Sequence, residues 1–354
     1  MSNHIIRRKQ QLKIIIPSVR SQIIATIADR EAATLRQRPN GMLLLGDGGV
    51  ACLEFGEALG VCADAPLPRI SLTKQKYSLD GVCGVASMVK YWGLAPVVCC
   101  PVGRGQVSIL QRRLLAKEDL PSLVLATGMP QVIRYIRRVF ASGHQLAHLE
   151  TEEKILHVPP REIKNGLRAL HRQINCASLL CIIDQGNAGL TEGIITKLAR
   201  RAKGSGTCVI YESRLTLPPL FLGFDVVKVN HNQVDQWFGA NSESDQEAAL
   251  AAKRVLNRTG AKNVVYTRGA RGILAIRRSL LGSESFLIVP EPKKIYDSVS
   301  AGDVVTASLA FCLTKGYSLL EAVCFAATAA ELSLDQRFDK HLDLLTILKN
   351  RNKQ

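Results

Sequence analysis

Aromatic residues are scarce in this sequence and make up 5% of its 354 residues. Proteins that hold single-stranded nucleic acid by base stacking carry aromatic-rich surfaces, and no segment here has that composition. Long apolar runs are lacking as well, since none reaches the roughly 18–20 residues of a membrane-spanning helix. The chain also lacks the apolar segment and small-residue cleavage site of a secretory signal. We therefore expect a cytoplasmic protein without a membrane partner.

The ten cysteines form no recognisable metal-binding pattern. The sequence contains no Cys-x-x-Cys pair and no cluster of cysteine and histidine with the spacing of a zinc site. Most of the cysteines have apolar neighbours, which is typical of reduced thiols in the core of a cytosolic protein. The metal ligands, if the protein has any, are therefore not identified at this stage.

Acidic residues are too few to balance the basic ones. The chain has 30 Asp and Glu against 46 Lys and Arg, which gives a formal net charge of +16. A charge of this size attracts polyanions. The basic pairs are scattered along the chain instead of forming one arm, so two interpretations stay open. One is a solvated surface suited to phosphorylated substrates, and the other is a nucleic-acid partner.

Apolar segments of strand length alternate with segments of helix length. The chain is 47% hydrophobic, which is ample for a buried core. The alternation predicts a mostly parallel sheet with right-handed crossovers. Strands are expected at residues 41–46, 96–101, 179–183, 207–211, 226–229 and 263–267, a hairpin at 273–277 and 285–289, and helices at 81–92, 192–203, 245–259, 304–315 and 320–332.

One large α/β domain is expected to cover residues 41–345. A basic leader at 1–40 would precede it, and a basic tail at 346–354 would follow. The arginines of the leader are compatible with a transit peptide, but Asp29, Glu31 and the spacing of Ile23, Ile24 and Ile27 favour a surface helix. Two segments, roughly 51–80 and 130–150, are expected to form a small β lid, because residues 135–140 and 145–149 can pair as antiparallel strands. Ligands of such sheets bind at the carboxyl ends of the strands.

The strongest functional signal is a turn of small residues that leads directly into an apolar helix. Its members are Asp297, Ser298, Val299, Ser300, Ala301, Gly302 and Asp303. Small residues at a helix start leave backbone N–H groups accessible, and together with the helix dipole these groups attract phosphate. Asp303 can take a proton from an attacking hydroxyl, so it is a candidate general base. A helix that is merely capped by aspartate has the same pattern.

A second signal is the glycine-rich turn that follows the strand at 263–267. Thr267 is succeeded by Gly269 and Gly272. Glycine lets the backbone approach a ligand closely, and the threonine hydroxyl can donate a hydrogen bond. The turn is therefore a candidate site for nucleotide phosphates, although a hairpin without a ligand gives the same pattern.

Together these motifs resemble the PfkB-type, or ribokinase-like, family of carbohydrate kinases. Residues 297–303 are similar to the family signature Asp-x-x-Gly-Ala-Gly-Asp, and residues 267–272 are similar to its Thr-x-Gly-x-x-Gly turn. The resemblance extends over residues 41–334. The segments at 65–72 and 183–190 look like those of heptose-7-phosphate kinases, which places the chain nearest to that branch.

The resemblance implies a ribokinase-like three-layer sandwich with a mostly parallel central sheet and a small β lid. It implies phosphoryl transfer from ATP, with Mg²⁺, to a hydroxyl of a sugar or sugar phosphate. It also allows a homodimer, because lids in this family can form dimer interfaces. The implied roles are catalytic base for Asp303, anion hole for Ser300, Ala301 and Gly302, nucleotide binding for Thr267, Gly269, Gly272, Asn230 and Asp297, and substrate binding for Asp47, Asp80, Gly81, Glu150 and Asp184.

Several positions depart from the family pattern, chiefly in the sugar and magnesium sites. The sugar-binding aspartate falls on Ala51, and the asparagine of the Gly-Gly-Ala-Ala-Asn motif falls on Gly84. The basic residue of the turn after the strand at 179–183 is Asn187, and the first glycine of the signature is Ser300. The Asn-x-x-Glu element ends in Gln233, which lacks the negative charge that holds a cation shell.

Three functions remain open at this stage. The intact Asp303, Gly302, Gly269 and Gly272 favour an active kinase. The altered positions and the high positive charge favour a catalytically impaired relative that serves as a binding or scaffold module, for example with nucleic acid. A nucleoside kinase, or another non-sugar kinase on the same fold, is the third, because the sugar-binding residues are the ones that have changed.

Overall fold

The computed structural model describes residues 12–34, 41–129, 133–142, 144–151, 160–186, 190–213, 223–239, 244–280, 282–291, 301–335 and 342–349. The helices are α1 (Pro17–Thr34), α2 (Val82–Tyr91), α3 (Gln106–Lys117), α4 (Pro160–Ile174), α5 (Glu192–Gly204), α6 (His231–Phe238), α7 (Asp245–Thr259), α8 (Ala301–Thr314), α9 (Leu319–Asp335) and α10 (Leu344–Lys349). The strands are β1 (Leu12–Ile15), β2 (Gly41–Gly46), β3 (Gly48–Val61), β4 (Pro68–Gly81), β5 (Ala95–Val102), β6 (Ser122–Ala126), β7 (Arg134–Ala141), β8 (His144–Thr151), β9 (Leu179–Asp184), β10 (Cys208–Ser213), β11 (Val226–Asn230), β12 (Asn263–Thr267), β13 (Ile273–Ser279) and β14 (Gly282–Ile288).

A ten-stranded sheet forms the centre of the molecule, in the order β1-β14-β13-β12-β11-β10-β9-β2-β5-β6. Among these strands, neighbours are parallel except for β12 with β13 and β13 with β14. All six residues of β9 are buried, and so are five of the six in β2. Strands buried on both sides need a helical layer on each face. The three-layer, mostly parallel ribokinase-like sandwich expected from the sequence is therefore confirmed.

An aromatic cluster anchors one helical layer. Trp92 follows α2 and packs edge-on against Phe311 of α8 and Phe325 of α9, with ring centroids 5.8 Å apart in both contacts. The indole N–H of Trp92 donates to the carbonyl oxygen of Leu342 at 2.7 Å, which satisfies the buried donor. This packing fixes α8, the helix that begins with Ala301.

A four-stranded lid, in the order β4-β3-β7-β8, stands beside the main sheet. Strand β3 begins at Gly48, two residues after β2 ends at Gly46, so the lid continues directly from the carboxyl end of a central strand. The backbone at Gly46 has φ +150°, and a side chain there would lie 1.9 Å from the carbonyl oxygen of Ile183. Strands β7 and β8 pair antiparallel as expected. The lid therefore overhangs the edge where the parallel strands end.

The amino-terminal region differs from the expected leader at 1–40. Strand β1 pairs in parallel with β14 and forms one edge of the main sheet. Helix α1 packs against α9 and α10 and buries Ile24 and Ile27. Arg20 of α1 is also buried, and its guanidinium donates to both carboxylate oxygens of Glu331 in α9 at 2.5 and 2.8 Å. Residues 12–34 therefore belong to the folded domain.

The carboxyl-terminal boundary differs in the same way. Helix α10 spans residues 344–349 and buries Ile347 and Leu348, so the expected division between residues 345 and 346 falls inside a packed helix. The sequence reasoning also missed α3 and α4, and it placed too little of β3 and β4 in strands. Within the described residues, no helix is long and apolar enough to cross a bilayer.

Replacing Arg20 by methionine should lower the free energy of unfolding by about 3–5 kcal/mol, because Glu331 would keep a buried charge without its partner. The matched control is Arg277→Met, which removes an ion pair to Glu284 whose side chains are 46% and 37% exposed. That change should cost less than about 1 kcal/mol. Urea unfolding followed by circular dichroism measures both values, and equal losses would show that the buried pair between Arg20 and Glu331 stabilises the fold no more than an exposed pair does.

Candidate active site

A cleft of about 290 Å³ lies where the main sheet meets the lid. Its floor comes from the ends of β10, β11 and β12 and from the first turn of α8, and its roof comes from β4, β7 and β8. The lining residues are Asp80, Arg134, Ile136, Arg138, His148, Glu150, Glu212, Lys228, Asn230, Thr267, Gly302 and Asp303. The carboxyl edge of a parallel sheet is where α/β proteins bind their ligands.

Helix α8 points its amino terminus into the floor of the cleft. Its first residues are Ala301, Gly302 and Asp303, and Asp303 is 93% buried. The backbone N–H groups of a first helical turn have no partner within the helix, and the helix dipole makes them attractive to anions. Asp297 and Ser300 of the same motif lie outside the described residues. The expected catalytic carboxylate and part of the expected anion hole thus share one surface of the cleft.

A buried ion pair lies beside this helix terminus. Glu212 of β10 and Lys228 of β11 are partners in the parallel register, and Lys228 Nζ is 2.7 Å from Glu212 Oε1. The ammonium also donates to the carbonyl oxygen of Gly302 at 3.0 Å. The hydroxyl of Thr306, one turn further along α8, donates to Glu212 Oε2 at 2.5 Å. Two strands and α8 are therefore connected through one charged network.

The roof of the cleft is built from alternate residues of the lid strands. Arg134, Ile136 and Arg138 of β7 face the cleft, as do His148 and Glu150 of β8. This spacing follows from the period of two in a β-strand. In the register, His148 lies opposite Arg138, and Glu150 lies opposite Ile136.

Charged contacts order these lid side chains. Arg134 forms an ion pair with Asp80 of β4 at 2.8 Å and a longer one with Glu150 at 3.6 Å. His148 Nε2 lies 2.9 Å from Glu150 Oε1. Arg138 is 94% buried, its closest described carboxylate is Asp80 at 4.0 Å, and its Nε has no hydrogen-bond partner among the described residues. The guanidinium groups of Arg134 and Arg138 therefore face the cleft from the roof.

The glycine-rich turn after β12 has the geometry that its sequence requires. Gly269 has φ +57° and Gly272 has φ +83°, and the N–H of Arg268 donates to the carbonyl oxygen of Gly272 at 2.9 Å. A side chain at Gly272 would lie 2.1 Å from the carbonyl oxygen of Ile288, whereas one at Gly269 would meet nothing within 4 Å. Thr267 lines the cleft at the base of this turn.

The side chain of Gln233 forms hydrogen bonds with backbone groups. Its side-chain oxygen accepts from the N–H of Asn230 at 2.8 Å, and its side-chain nitrogen donates to the carbonyl oxygen of Ser213. Asn230 accepts from the N–H of Gln233 at 3.0 Å, which completes a capping box at the start of α6. A neutral amide committed in this way does not fit the role of a charged residue that organises a metal shell. Among the described residues, no group of three or more Asp, Glu, His or Cys side chains is arranged to hold a metal ion.

Three of the expected substrate residues do not line the cleft. The carboxylate of Asp47 accepts from the N–H of Gln185 at 2.6 Å. Asp184 accepts from Gly186 N–H and Tyr211 O–H, and burial raises its pKa above the ordinary range. Gly81 has φ +60°, and a side chain there would lie 2.5 Å from the carbonyl oxygen of Asp47. The contacts of these residues connect the ends of β2 and β9 with the start of the lid. Their role in substrate binding stays a prediction.

The structure thus brings together Asp80, Glu150, Asn230, Thr267, Gly302 and Asp303 from the expected set. It adds six cleft residues that sequence reasoning missed, which are Arg134, Ile136, Arg138, His148, Glu212 and Lys228. The alternation within residues 134–138 and 148–150 was the available signal for those of the lid. Glu212 and Lys228 carried no such signal, because their meeting depends on the register between β10 and β11.

Comparison with known proteins gives consistent matches. A family model described as pfkB family carbohydrate kinase matches residues 149–339. The bifunctional protein HldE of Paramagnetospirillum magneticum is 26% identical over 296 residues, which are 82% of this chain and 58% of that protein. HldE of Gluconacetobacter diazotrophicus is 24% identical over 315 residues, which are 88% of this chain and 64% of that protein. The chain therefore spans about three-fifths of the length of these curated relatives.

Solved structures support the fold. Phosphofructokinase-2 from Escherichia coli, in complex with potassium, has a TM-score of 0.67 at 19% identity and covers 88% of this chain and 98% of its own. Ribokinase of Arabidopsis thaliana, complexed with ribose and ATP, has a TM-score of 0.62 at 16% identity, with coverage of 88% and 99%. At these identities the likeness shows a shared architecture.

Substituting alanine at Gly272 should destabilise the protein more than the same change at Gly269. Both positions have φ in the left-handed region, which costs about 1–2 kcal/mol for a residue with a side chain. Only Gly272 adds a collision with a backbone carbonyl. Urea unfolding of Gly272→Ala, with Gly269→Ala as the matched control, measures the difference. Equal losses would mean that the turn is not held against β14 as described.

Proposed function

Because the chain belongs to the pfkB family of carbohydrate kinases, we propose that it transfers the terminal phosphoryl group of ATP to a hydroxyl of a sugar phosphate. The observation that carries this proposal is the position of Asp303. Its carboxylate lies at the amino terminus of α8, on the floor of a cleft that the lid covers. A general base beside an anion-binding helix terminus is the arrangement that phosphoryl transfer to a hydroxyl needs.

In the proposed reaction, the acceptor hydroxyl approaches the terminal phosphorus of ATP while Asp303 accepts its proton. The new oxygen–phosphorus bond forms as the bond to the bridging oxygen breaks, and ADP leaves with the electron pair. The first N–H groups of α8 hold the negative charge of the transferred group. The work of the protein is therefore mainly positioning and charge stabilisation.

The donor nucleotide fits the edge formed by β11 and β12. Asn230 and Thr267 end these two strands, and both line the cleft. The turn at Gly269–Arg271 follows immediately, and at Gly269 the backbone is open to an approaching ligand because a side chain there would meet nothing within 4 Å. Nucleotide phosphates lying along this turn would end at the amino terminus of α8.

The acceptor is proposed to carry a negatively charged group. Arg134 and Arg138 both face the cleft from the lid, and guanidinium groups bind phosphate through paired hydrogen bonds. Asp80 and Glu150 lie on the same side and can accept hydrogen bonds from sugar hydroxyls. A heptose 7-phosphate is the first acceptor to test, because residues 65–72 and 183–190 resemble the heptose-7-phosphate kinases.

Two other expectations about partners stay predictions. Strands β3 and β4 of the lid and the segment between them expose apolar side chains, including Val61, Leu67 and Leu72 at 68%, 60% and 52%, which would suit a homodimer. A nucleic-acid partner has only the positive charge of the chain in its favour. A catalytically impaired binding module is the remaining alternative, and the next experiment separates it from a kinase.

Asp303→Asn should leave ATP affinity nearly unchanged and lower kcat by about 10²–10⁴-fold, since the change removes only the proton acceptor. Calorimetry measures ATP binding, and phosphorus NMR measures product from a panel of sugars, sugar phosphates and nucleosides. The matched control is Asp119→Asn, at an exposed position with φ 49° that asparagine tolerates, and it should behave as wild type. If the wild type binds ATP but phosphorylates no acceptor, the protein is a binding module.

Arg138→Met should raise KM for a phosphorylated acceptor by at least about tenfold, since a charge-assisted hydrogen bond contributes about 1.5–3 kcal/mol. KM for ATP and for the same sugar without its phosphate should change much less. Arg69→Met, at an exposed position of β4, is the control for loss of an arginine from the lid. Equal effects on the phosphorylated and unphosphorylated sugars would contradict an anionic acceptor.

A further inference from the structure

The carboxylates of the cleft are already paired with cations of the protein. Asp80 and Glu150 are both paired with Arg134, and Glu212 is paired with Lys228. Asp303 is the carboxylate assigned to proton transfer. Mg²⁺ in kinase sites is usually held by one or two carboxylates together with substrate phosphates and waters. Apart from Asp303, the carboxylates that line this cleft are ion-paired with Arg134 or Lys228, and no cluster of three or more metal-binding side chains occurs among the described residues. The donor set therefore does not fit a divalent cation held by the protein.

Lys228 lies where a positive charge is needed for phosphoryl transfer. Its ammonium donates to the carbonyl oxygen of Gly302 at 3.0 Å, which places it against the first turn of α8, and Asp303, the residue after Gly302, lines the same cleft. The two contacts to Glu212 and Gly302 use two of its three N–H donors within the described residues. The third is available to a ligand, and Lys228 lines the cleft.

Glu212 keeps this ammonium in place. The lysine and glutamate side chains are 4% and 5% exposed, so neither can leave the pair without burying an unpaired charge. The hydroxyl of Thr306 in α8 donates to the second carboxylate oxygen of Glu212. The position of the charge is therefore fixed by two strands and a helix before any ligand arrives.

We propose that Lys228 supplies, at the site of phosphoryl transfer, the positive charge that a protein-held divalent cation would otherwise supply. This inference rests on the proposed function, since it concerns the same cleft. The ammonium stays protonated throughout and donates a hydrogen bond to a non-bridging oxygen of the transferred group, so no bond to Lys228 forms or breaks. Glu212 is a positioning residue, and metal enters this site only as part of the nucleotide salt.

The test compares ATP and ADP binding by calorimetry, each in excess EDTA and in Mg²⁺. Wild type should bind metal-free ATP within about threefold of the Mg²⁺ complex, a difference of well under 1.4 kcal/mol. Lys228→Met should weaken metal-free ATP at least about tenfold, as expected for one charge-assisted hydrogen bond, and should barely change ADP. A second readout is Mn²⁺ titration of the nucleotide-free protein by electron paramagnetic resonance, in which we expect no stoichiometric site.

The double variant Lys228→Met/Glu212→Leu guards against misfolding, because removing both charges of a buried pair is often neutral for stability. It should fold and show the same ATP-specific loss, while Glu212→Gln should show a smaller one. Stoichiometric Mn²⁺ binding without nucleotide, strict dependence of wild-type ATP binding on Mg²⁺, or unchanged ATP affinity in both Lys228 variants would overturn the proposal. If wild type binds ATP in neither condition, the proposed kinase function itself fails, and this inference fails with it.

Discussion

The parallel alignment of the central strands is the constraint on which the rest of the molecule depends. Because β2, β9, β10, β11 and β12 run in one direction, their carboxyl ends meet at one edge of the sheet. The lid begins at the same edge, since β3 starts two residues beyond β2. Helix α8 begins there as well, with Gly302 and Asp303 lining the cleft. Side chains from distant parts of the sequence can therefore share a cleft without a long loop to carry them.

Buried charge makes several residues of this edge depend on one another. Glu212 and Lys228 are both almost fully buried, so either one alone would be strongly unfavourable. Thr306 completes the pair from α8, and the carbonyl oxygen of Gly302 accepts from the lysine. A change at any of these positions alters the surroundings of the others. These four residues are therefore better understood as one linked arrangement than as separate contacts.

The sequence was sufficient for the elements whose signal is local. Hydrophobic runs located β2, β9 and β12, and α7 has the bounds expected for the helix at 245–259, with Gly260 at φ 65° directly after it. The pairing of β1 with β14 was missed because it joins segments at opposite ends of the chain. Arg137 and Arg138 are adjacent arginines, yet Arg137 is half-exposed and Arg138 is 94% buried. The alternation of a strand predicts that the two side chains lie on opposite faces. It does not predict which of the two faces is buried in the lid.

The candidate site could be only partly anticipated for a similar physical reason. Motifs such as the start of α8 and the turn after β12 act through backbone conformation, which short patterns of glycine and small residues encode. Charge compensation is different, because it is decided by register and packing. Lys228 in place of a metal would give the cleft one fixed positive charge that cannot exchange with solvent, and the arginines of the lid add further fixed charges above it. A cleft built this way would recognise anions through side chains, in a protein that has 46 basic and 30 acidic residues.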